Sequence, residues 1–172
     1  MFSKYTNKAP WVIIAKLLLL YDKLLQMMSN MNFETFLPLP TGWERDIKVE
    51  TDESGAQVTH VEGYPQEGEG FVDVYVGEMP EGETALDQAF ANYAETVGFS
   101  DDDPADFNPI GKIKFNGKTA YGFDALCEDD TPMRFISQEV KKGVLAVIVF
   151  GAADEQALEA LHQHIERNFR VK

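Results

Sequence analysis

A seven-residue apolar run, Val144–Phe150, limits the possible folds of this chain more than any other segment. Side chains alternate between the two faces of a strand, so a strand without polar residues must be covered on both sides. We therefore predict that this run is a central strand. A helix is predicted next, from Asp154 to about residue 169, because apolar residues recur there at helical spacing. These residues are Leu158, Leu161, Ile165 and Phe169.

A second amphipathic helix is predicted over residues 84–98. Thr84 is a suitable N-cap with Asp87 three residues later, and Gly98 stands where a glycine commonly ends a helix. Apolar residues again follow a helical period, at Leu86, Phe90, Tyr93 and Val97. The sequence thus provides two helices, each with one apolar side for a sheet to cover.

Short runs of alternating apolar and polar residues predict the remaining strands. Asn116-Gly117 is a strong signal for a type I′ hairpin. The predicted strands are Phe33–Leu37, Glu44–Glu50, Ala56–Glu62, Phe71–Val76 and a four-strand meander that begins at Ile113 and ends at Phe150. Short turns join most of them, so the sheet should be antiparallel. The expected fold class is α/β (α+β): an antiparallel β-sheet of about six to eight strands flanked by two amphipathic helices, an α/β/α sandwich, with an additional N-terminal apolar helix.

The charge divides the chain into two unequal parts. Residues 1–32 carry four lysines and one acidic residue, whereas the whole chain has a net charge of −14, so residues 33–172 carry −17. We expect residues 1–32 to be an apolar and basic extension and residues 33–172 to be a single domain. The apolar helix at residues 11–28 contains Lys16 and Asp22, which makes it a poor membrane span and a poor signal peptide.

Four fates are open to that extension: docking on the domain, oligomerisation, attachment to a membrane surface, or absence from the protein in the cell. Membrane contact through residues 11–28 is disfavoured, because anionic lipid would repel the acidic domain. We predict that Met27, Met28 or Met31 is the true start, or that the extension is dispensable for folding. We expect a cytoplasmic location, because no lipobox cysteine follows the apolar stretch.

Composition excludes several classes of protein. A single cysteine, Cys127, rules out an intramolecular disulfide framework and cysteine-clustered metal sites. The strong negative charge would repel a phosphate backbone, which argues against nucleic-acid binding. The same charge favours partners of basic character.

No catalytic constellation is visible among the candidate residues. His162 and His164 are two positions apart on a helix and point in different directions, so we expect surface histidines beside a core stripe. His60 shares a strand face with Val58 and Glu62 and is expected to be exposed, while Cys127 is expected to be a buried, inert thiol.

Three further motifs have ordinary interpretations. The acidic run Asp101–Asp106 could attract a cation but fails as an EF-hand loop, because position six is Asp106 and position twelve is Lys112. Trp43 is expected to be a packing residue at the sheet edge. The glycines of a glutamate-rich loop do not form a nucleotide motif: Gly63, Gly68 and Gly70.

The pattern of residues 33–172 resembles the PsbP-like superfamily. The resemblance rests on Leu37-Pro38-Leu39-Pro40-Thr41-Gly42-Trp43 after an opening strand, on the helix Ala85–Val97 ending at Gly98, on the hairpin around Asn116-Gly117-Lys118, and on the closing unit Val144–Phe169. It implies the shared topology without catalytic residues, since members include PsbP, the Ran-binding Mog protein, bacterial DcrB and Eag-type adaptors. The Eag-type branch binds apolar helices, which implies a chaperone-like role.

The sequence therefore predicts a non-enzymatic binding or adaptor domain for a protein or peptide of basic character. It assigns no catalytic, cofactor-binding or metal-ligating residue and no cofactor. Two alternatives stay open: a small-ligand carrier or enzyme with a pocket between sheet and helix, and a peripheral membrane protein tethered by residues 11–28.

Overall fold

A computed structural model describes residues 33–51, 55–97, 110–126 and 131–172. These residues form a mixed α+β fold with a seven-stranded antiparallel sheet, a small two-stranded sheet and two helices. The elements are β1 (Thr35–Phe36), β2 (Trp43–Thr51), β3 (Gln57–Pro65), β4 (Gly70–Glu78), α1 (Ala85–Val97), β5 (Gly111–Phe115), β6 (Lys118–Leu126), β7 (Pro132–Lys141), β8 (Val144–Ala152), α2 (Glu155–Glu166) and β9 (Arg170–Val171). The strand order of the large sheet is β2-β3-β4-β8-β7-β6-β5. The predicted N-terminal helix lies outside the described residues.

Strand β8 is the central strand, as its apolar composition predicts. It pairs with β4 on one side and with β7 on the other. Ile148 and Phe150 are fully buried on one face. The expectation of complete cover on both faces is wrong, however, because Val147 and Val149 on the other face are only half-buried. They line a groove beside α1 that is described below.

Helix α2 covers the face of the sheet that carries Ile148. Its N-cap is Asp154, whose side chain accepts a hydrogen bond of 2.7 Å from the backbone N–H of Ala157. The four predicted core residues are all buried: Leu158, Leu161, Ile165 and Phe169. The periodicity therefore predicted the start of this helix and the side that it buries, but the helix ends at Glu166, and Phe169 is buried from the segment that follows it.

The opening strand does not join the large sheet, which corrects the expectation of one sheet for residues 33–172. Strand β1 instead pairs with β9, and Phe33 and Leu37 on either side of it belong to the main core. Pro38 and Pro40 follow directly and lack the backbone N–H groups that a strand ladder needs, so this segment cannot extend into the sheet.

Helix α1 begins as predicted but turns a different side to the protein. Thr84 and Asp87 cap each other: the Thr84 backbone N–H donates to Asp87 Oδ2 at 2.8 Å, and the Asp87 N–H donates to Thr84 Oγ1 at 3.3 Å. Ala85, Ala89 and Tyr93 are buried, while Phe90 is 37% exposed, which corrects its assignment to the core stripe. Small alanines let the helix approach β6 and β7, and Phe90 is turned outward as a result.

The two helices lie on opposite faces of the large sheet. Tyr93 of α1 contacts Phe123 edge-on, with ring centroids 5.2 Å apart, and Phe123 is stacked on Phe135. Phe135 neighbours Ile136, whose side chain points to the α2 face. The predicted hairpin is also confirmed, because Asn116 and Gly117 both have positive φ angles, 51° and 74°.

Candidate functional site

Helix α1 covers only part of its face of the sheet. It packs on β6 and β7, and within the described ranges no helix lies over the side formed by β2, β3 and β4. The side chains on that open area are mostly charged or polar, unlike those of the opposite face: Asp46, Lys48, Glu50, His60, Glu62, Asp73 and Tyr75. We refer to these seven residues as the polar cluster. It is the candidate functional site.

His60 is the centre of the polar cluster. Its side chain is 8% exposed and its ring is stacked on Tyr75, with centroids 4.2 Å apart and planes 13° from parallel. Its Nε2 lies 3.3 Å from Asp73 Oδ1 and 3.8 Å from Glu62 Oε1, and its Nδ1 lies 3.8 Å from Glu50 Oε1. One imidazole therefore contacts carboxylates on three different strands.

The charges of the cluster affect one another. Burial raises the pKa of the Asp73 carboxyl above its usual value, and the hydrogen bond to His60 opposes that shift. Burial also raises the pKa of Tyr75, together with the negative charge of Asp73. Lys48 Nζ donates to Glu62 Oε2 at 3.0 Å and lies 3.4 Å from Asp46 Oδ2, and the hydrogen bond to Glu62 raises the lysine pKa.

Three side chains of the cluster have the arrangement of metal ligands. One ligand atom each from His60, Glu62 and Asp73 lies within 4.8 Å of the other two. Asp73 and Glu62 are about a third exposed, so solvent reaches the carboxylates while the imidazole behind them is enclosed. Such a set can hold one divalent cation with a coordination position left open.

An apolar groove of about 420 Å³ lies beside the polar cluster, between α1 and strands β4 and β8. Its floor is formed by Val58, Tyr75, Phe135, Leu145, Val147 and Val149. Glu78 and Glu95 stand at its rim, and Asn92 on its helical wall donates to Ser137 Oγ at 3.3 Å. Tyr75 belongs to both features, since it contacts His60 and also lines the groove.

A second polar group, around Arg134 on the α2 face, is held together by hydrogen bonds within the protein. Arg134 donates to Asp124 at 2.8 and 3.0 Å, to Glu159 Oε2 at 2.8 Å and to His162 Nδ1 at 2.6 Å. The guanidinium can only donate, so His162 Nδ1 must accept and the ring proton lies on Nε2. Because Arg134 makes four hydrogen bonds within the protein, we interpret this group as structural.

His162 is half-buried, which corrects the prediction of a surface histidine. Its ring lies 5.6 Å from the Phe150 ring and 5.5 Å from the Phe115 ring, centroid to centroid. Its Nε2 is buried and has no hydrogen-bond partner in the described part of the chain. Burial lowers the pKa of His162, and the neighbouring Arg134 lowers it further.

The other sequence candidates had mixed outcomes. His60 is buried, so its predicted exposure is wrong: strand pairing places Tyr75 directly opposite and the two rings stack. His164 is exposed and Trp43 packs against the core, as predicted. Cys127 and the run Asp101–Asp106 lie outside the described residues.

Asp73 and Tyr75 were not predicted as site residues. Both alternate with buried valines of β4, and this pattern reveals that they face away from the core. The glycines of the glutamate-rich loop lie in β3, in the following turn and at the start of β4, not before a helix: Gly63, Gly68 and Gly70.

Comparison with known proteins gives no family for this chain. No protein-family model matches it, and no curated protein matches it. One solved structure is similar: LpqN, a protein involved in cell envelope biogenesis of Mycobacterium tuberculosis, with 10% sequence identity, 82% of this chain and 84% of that chain covered, and a TM-score of 0.44. This similarity is too low to transfer a role, and membership of the PsbP-like superfamily stays a prediction. Neither helix in the described residues has the length and apolar character needed to cross a lipid bilayer.

Proposed function

We propose that this chain is a non-enzymatic binding domain, whose groove beside α1 takes a peptide segment with apolar side chains interspersed with lysine or arginine. The observation that carries the proposal is the groove itself, with an apolar floor on a central strand and carboxylates at its rim. A contiguous apolar area at the protein surface commonly marks a binding site.

The floor supplies the attraction for apolar side chains. Val147 and Val149 are only half-buried on a strand that has no polar residue from Val144 to Phe150. Covering such side chains yields about 25 cal/mol for each Å² of apolar surface removed from water. A partner that presents aliphatic side chains therefore gains by lying on β8.

The carboxylates select the sign of the partner's charge. Glu78 and Glu95 line the groove, and Glu50, Glu62 and Asp73 of the polar cluster lie on the neighbouring strands. Residues 33–172 carry a net charge of −17, which attracts basic groups from a distance and repels acidic ones. Basic residues beside the apolar ones suit both parts of the groove.

Strand addition at the edge of the sheet fits the structure less well. The edge strand β2 is exposed along almost all of its length and carries charges at Glu44, Arg45, Asp46, Lys48 and Glu50. Charged side chains on an edge strand discourage pairing with another chain. The groove is therefore a better docking surface than the β2 edge.

A charge-reversal experiment tests the electrostatic half of the proposal. We expect a fluorescent peptide with leucine and lysine at helical spacing to bind, and a peptide with glutamate in place of lysine not to bind, by anisotropy at physiological ionic strength. Glu78→Lys combined with Glu95→Lys should weaken binding about tenfold. The matched control, Glu67→Lys with Glu69→Lys, makes the same change of charge in the exposed turn at the other end of β4 and should have less than a threefold effect.

A second pair of variants tests the apolar floor. Val147→Thr keeps the shape of the side chain and replaces one methyl group by a hydroxyl. Binding should weaken about fivefold, because the hydroxyl gives up its hydrogen bonds to water when the peptide covers it. Val49→Thr, at a 48% exposed valine on the opposite face, should have no effect. The proposal is wrong if both charge-reversal variants weaken binding equally, or if Val147→Thr binds as the unchanged protein does.

A further inference from the structure

Three carboxylates stand side by side across the open area of the sheet. Asp46 on β2 is directly opposite Glu62 on β3, and Glu62 is directly opposite Asp73 on β4. Residues directly opposite on neighbouring strands have Cβ atoms about 4.5–5.5 Å apart, and like charges at that distance destabilise the pairing. Such a row needs positive charge on both sides of Glu62.

Lysine supplies that charge on one side only. Lys48 Nζ lies between Asp46 and Glu62, at 3.4 and 3.0 Å from their oxygens. No lysine or arginine of the described residues lies within 4 Å of both Glu62 and Asp73. The imidazole of His60 occupies that place instead. The two halves of the row are therefore not equivalent.

The surroundings of the imidazole also suit a cation. A neutral imidazole carries one N–H, yet His60 faces carboxylate oxygens at both nitrogens, Asp73 and Glu62 at Nε2 and Glu50 at Nδ1. With the proton on Nε2 the ring donates to Asp73, whereas with the proton on Nδ1 the lone pair of Nε2 faces two carboxylates. In the second tautomer a cation at Nε2 is held by the lone pair and by both carboxylates.

We propose that His60 Nε2, Glu62 and Asp73 bind one divalent transition-metal cation of the Zn²⁺ type. Zinc–ligand bonds of about 2.0–2.2 Å place the ligand atoms of a tetrahedral site about 3.3 Å apart. Nε2 lies 3.3 Å from Asp73 Oδ1 and 3.8 Å from Glu62 Oε1, and the three ligand atoms lie within 4.8 Å of one another, so binding requires the side chains to rotate toward the ion.

The neighbours of the three ligands suit this assignment. Glu50 Oε1 lies 3.8 Å from Nδ1, and a carboxylate at the other ring nitrogen is the usual outer partner of a metal-bound histidine. Stacking on Tyr75 fixes the plane of the ring.

The ligand types also select the metal. Calcium takes six to eight oxygen ligands and magnesium demands an octahedral shell of oxygens, whereas imidazole nitrogen suits zinc and its neighbours in the first transition row. Lys48 opposes binding, because its ammonium occupies the second oxygen of Glu62 and repels a cation at the first. This lysine should therefore limit the affinity.

Calorimetric titration of the full-length protein, after chelation and buffer exchange, tests the site with Zn²⁺ as the probe. We expect one Zn²⁺ per chain, and no displacement by millimolar Mg²⁺ or Ca²⁺. Asp73→Asn should weaken binding about tenfold or more. Lys48→Met should strengthen it severalfold, a gain that a site elsewhere on the chain would not show. His164→Gln, at an exposed histidine, is the matched control and should leave binding unchanged.

A direct readout on the ring does not depend on any variant. In nitrogen-detected NMR spectra of the histidine side chains, Zn²⁺ should shift Nε2 of His60 and leave His164 unaffected. The proposal is overturned if no saturable binding occurs, if Zn²⁺ shifts only other histidines, or if Asp73→Asn binds Zn²⁺ as tightly as the unchanged protein. Peptide binding in the groove does not enter this test, so either proposal can fail without the other.

Discussion

Asn116 connects the β5–β6 hairpin to the end of the chain, and its replacement by alanine or glycine separates two contributions to stability. The residue has a φ of 51°, in the left-handed region. Its Nδ2 donates to the backbone carbonyl of Phe169 at 2.6 Å, and its Oδ1 accepts from Arg170 Nη1 at 2.9 Å. Backbone conformation and side-chain hydrogen bonds therefore both depend on this one asparagine.

The two substitutions remove different parts of that arrangement. Alanine in the left-handed region costs about 1–2 kcal/mol, and the lost hydrogen bonds cost about 1 kcal/mol more. The loss stays near 1 kcal/mol because Arg170 also donates to the Phe169 carbonyl, at 2.6 Å, and keeps it paired. Asn116→Ala should therefore lower the free energy of unfolding by about 2–3 kcal/mol. Asn116→Gly relieves the backbone cost and should lower it by about 1 kcal/mol.

Urea unfolding followed by circular dichroism measures both values. In thermal scans the alanine variant should melt roughly 5–10 °C lower, at about 2–4 °C for each kcal/mol in a chain of this size. Asn168→Ala, at an exposed asparagine without a positive φ, is the control and should change stability by less than about 0.5 kcal/mol. Equal losses for alanine and glycine would refute the backbone part of the reasoning, and a neutral glycine variant would refute the hydrogen-bond part.

Two further predictions concern the helices. Burial lowers the pKa of His162 below 6.5, so the unfolded chain takes up a proton that the folded protein resists, and stability should fall as the pH drops below about 6.5. His162→Gln should flatten that decline in urea titrations between pH 8 and 5, while His164→Gln should not; an unchanged decline would contradict the assignment. Thr84→Ala should remove the N-cap of α1 and lower the melting temperature by about 2–4 °C, a loss near 1 kcal/mol. Thr84→Ser keeps the capping oxygen and should melt with the unchanged protein, so a serine variant as unstable as alanine would trace the loss to the missing methyl group and not to the cap.

Short sequence patterns were sufficient to predict three elements of the fold. The apolar run Val144–Phe150 predicted a central strand, the stripe ending at Phe169 predicted the buried side of α2, and Asn116-Gly117 predicted the hairpin. In each case the physical cause is contained in a few consecutive residues. The side of α1 was mistaken, because alanines allow close packing and large residues such as Phe90 then remain outside.

The polar cluster could be predicted only in part. Alternation along β3 places His60 and Glu62 on one face, and this much follows from the sequence. The contacts with Asp73 and Tyr75 depend on the register between β3 and β4, which alternation alone does not determine. The groove could not be predicted, because it depends on the pairing of β4 with β8, which are about seventy residues apart in the sequence. No local pattern indicates that pairing.

The pairing of β1 with β9 has a consequence for the response of the domain to force. Thr35 is opposite Val171, Phe36 is opposite Arg170, and the Lys172 N–H donates to the Glu34 carbonyl at 2.8 Å. The strands are antiparallel, so the outer ends of both lie together, and tension between residues 33 and 172 separates the pairs one after another instead of shearing them at once. Under tension, the two-stranded sheet of β1 and β9 should therefore separate first, at low force, while the seven-stranded sheet remains folded.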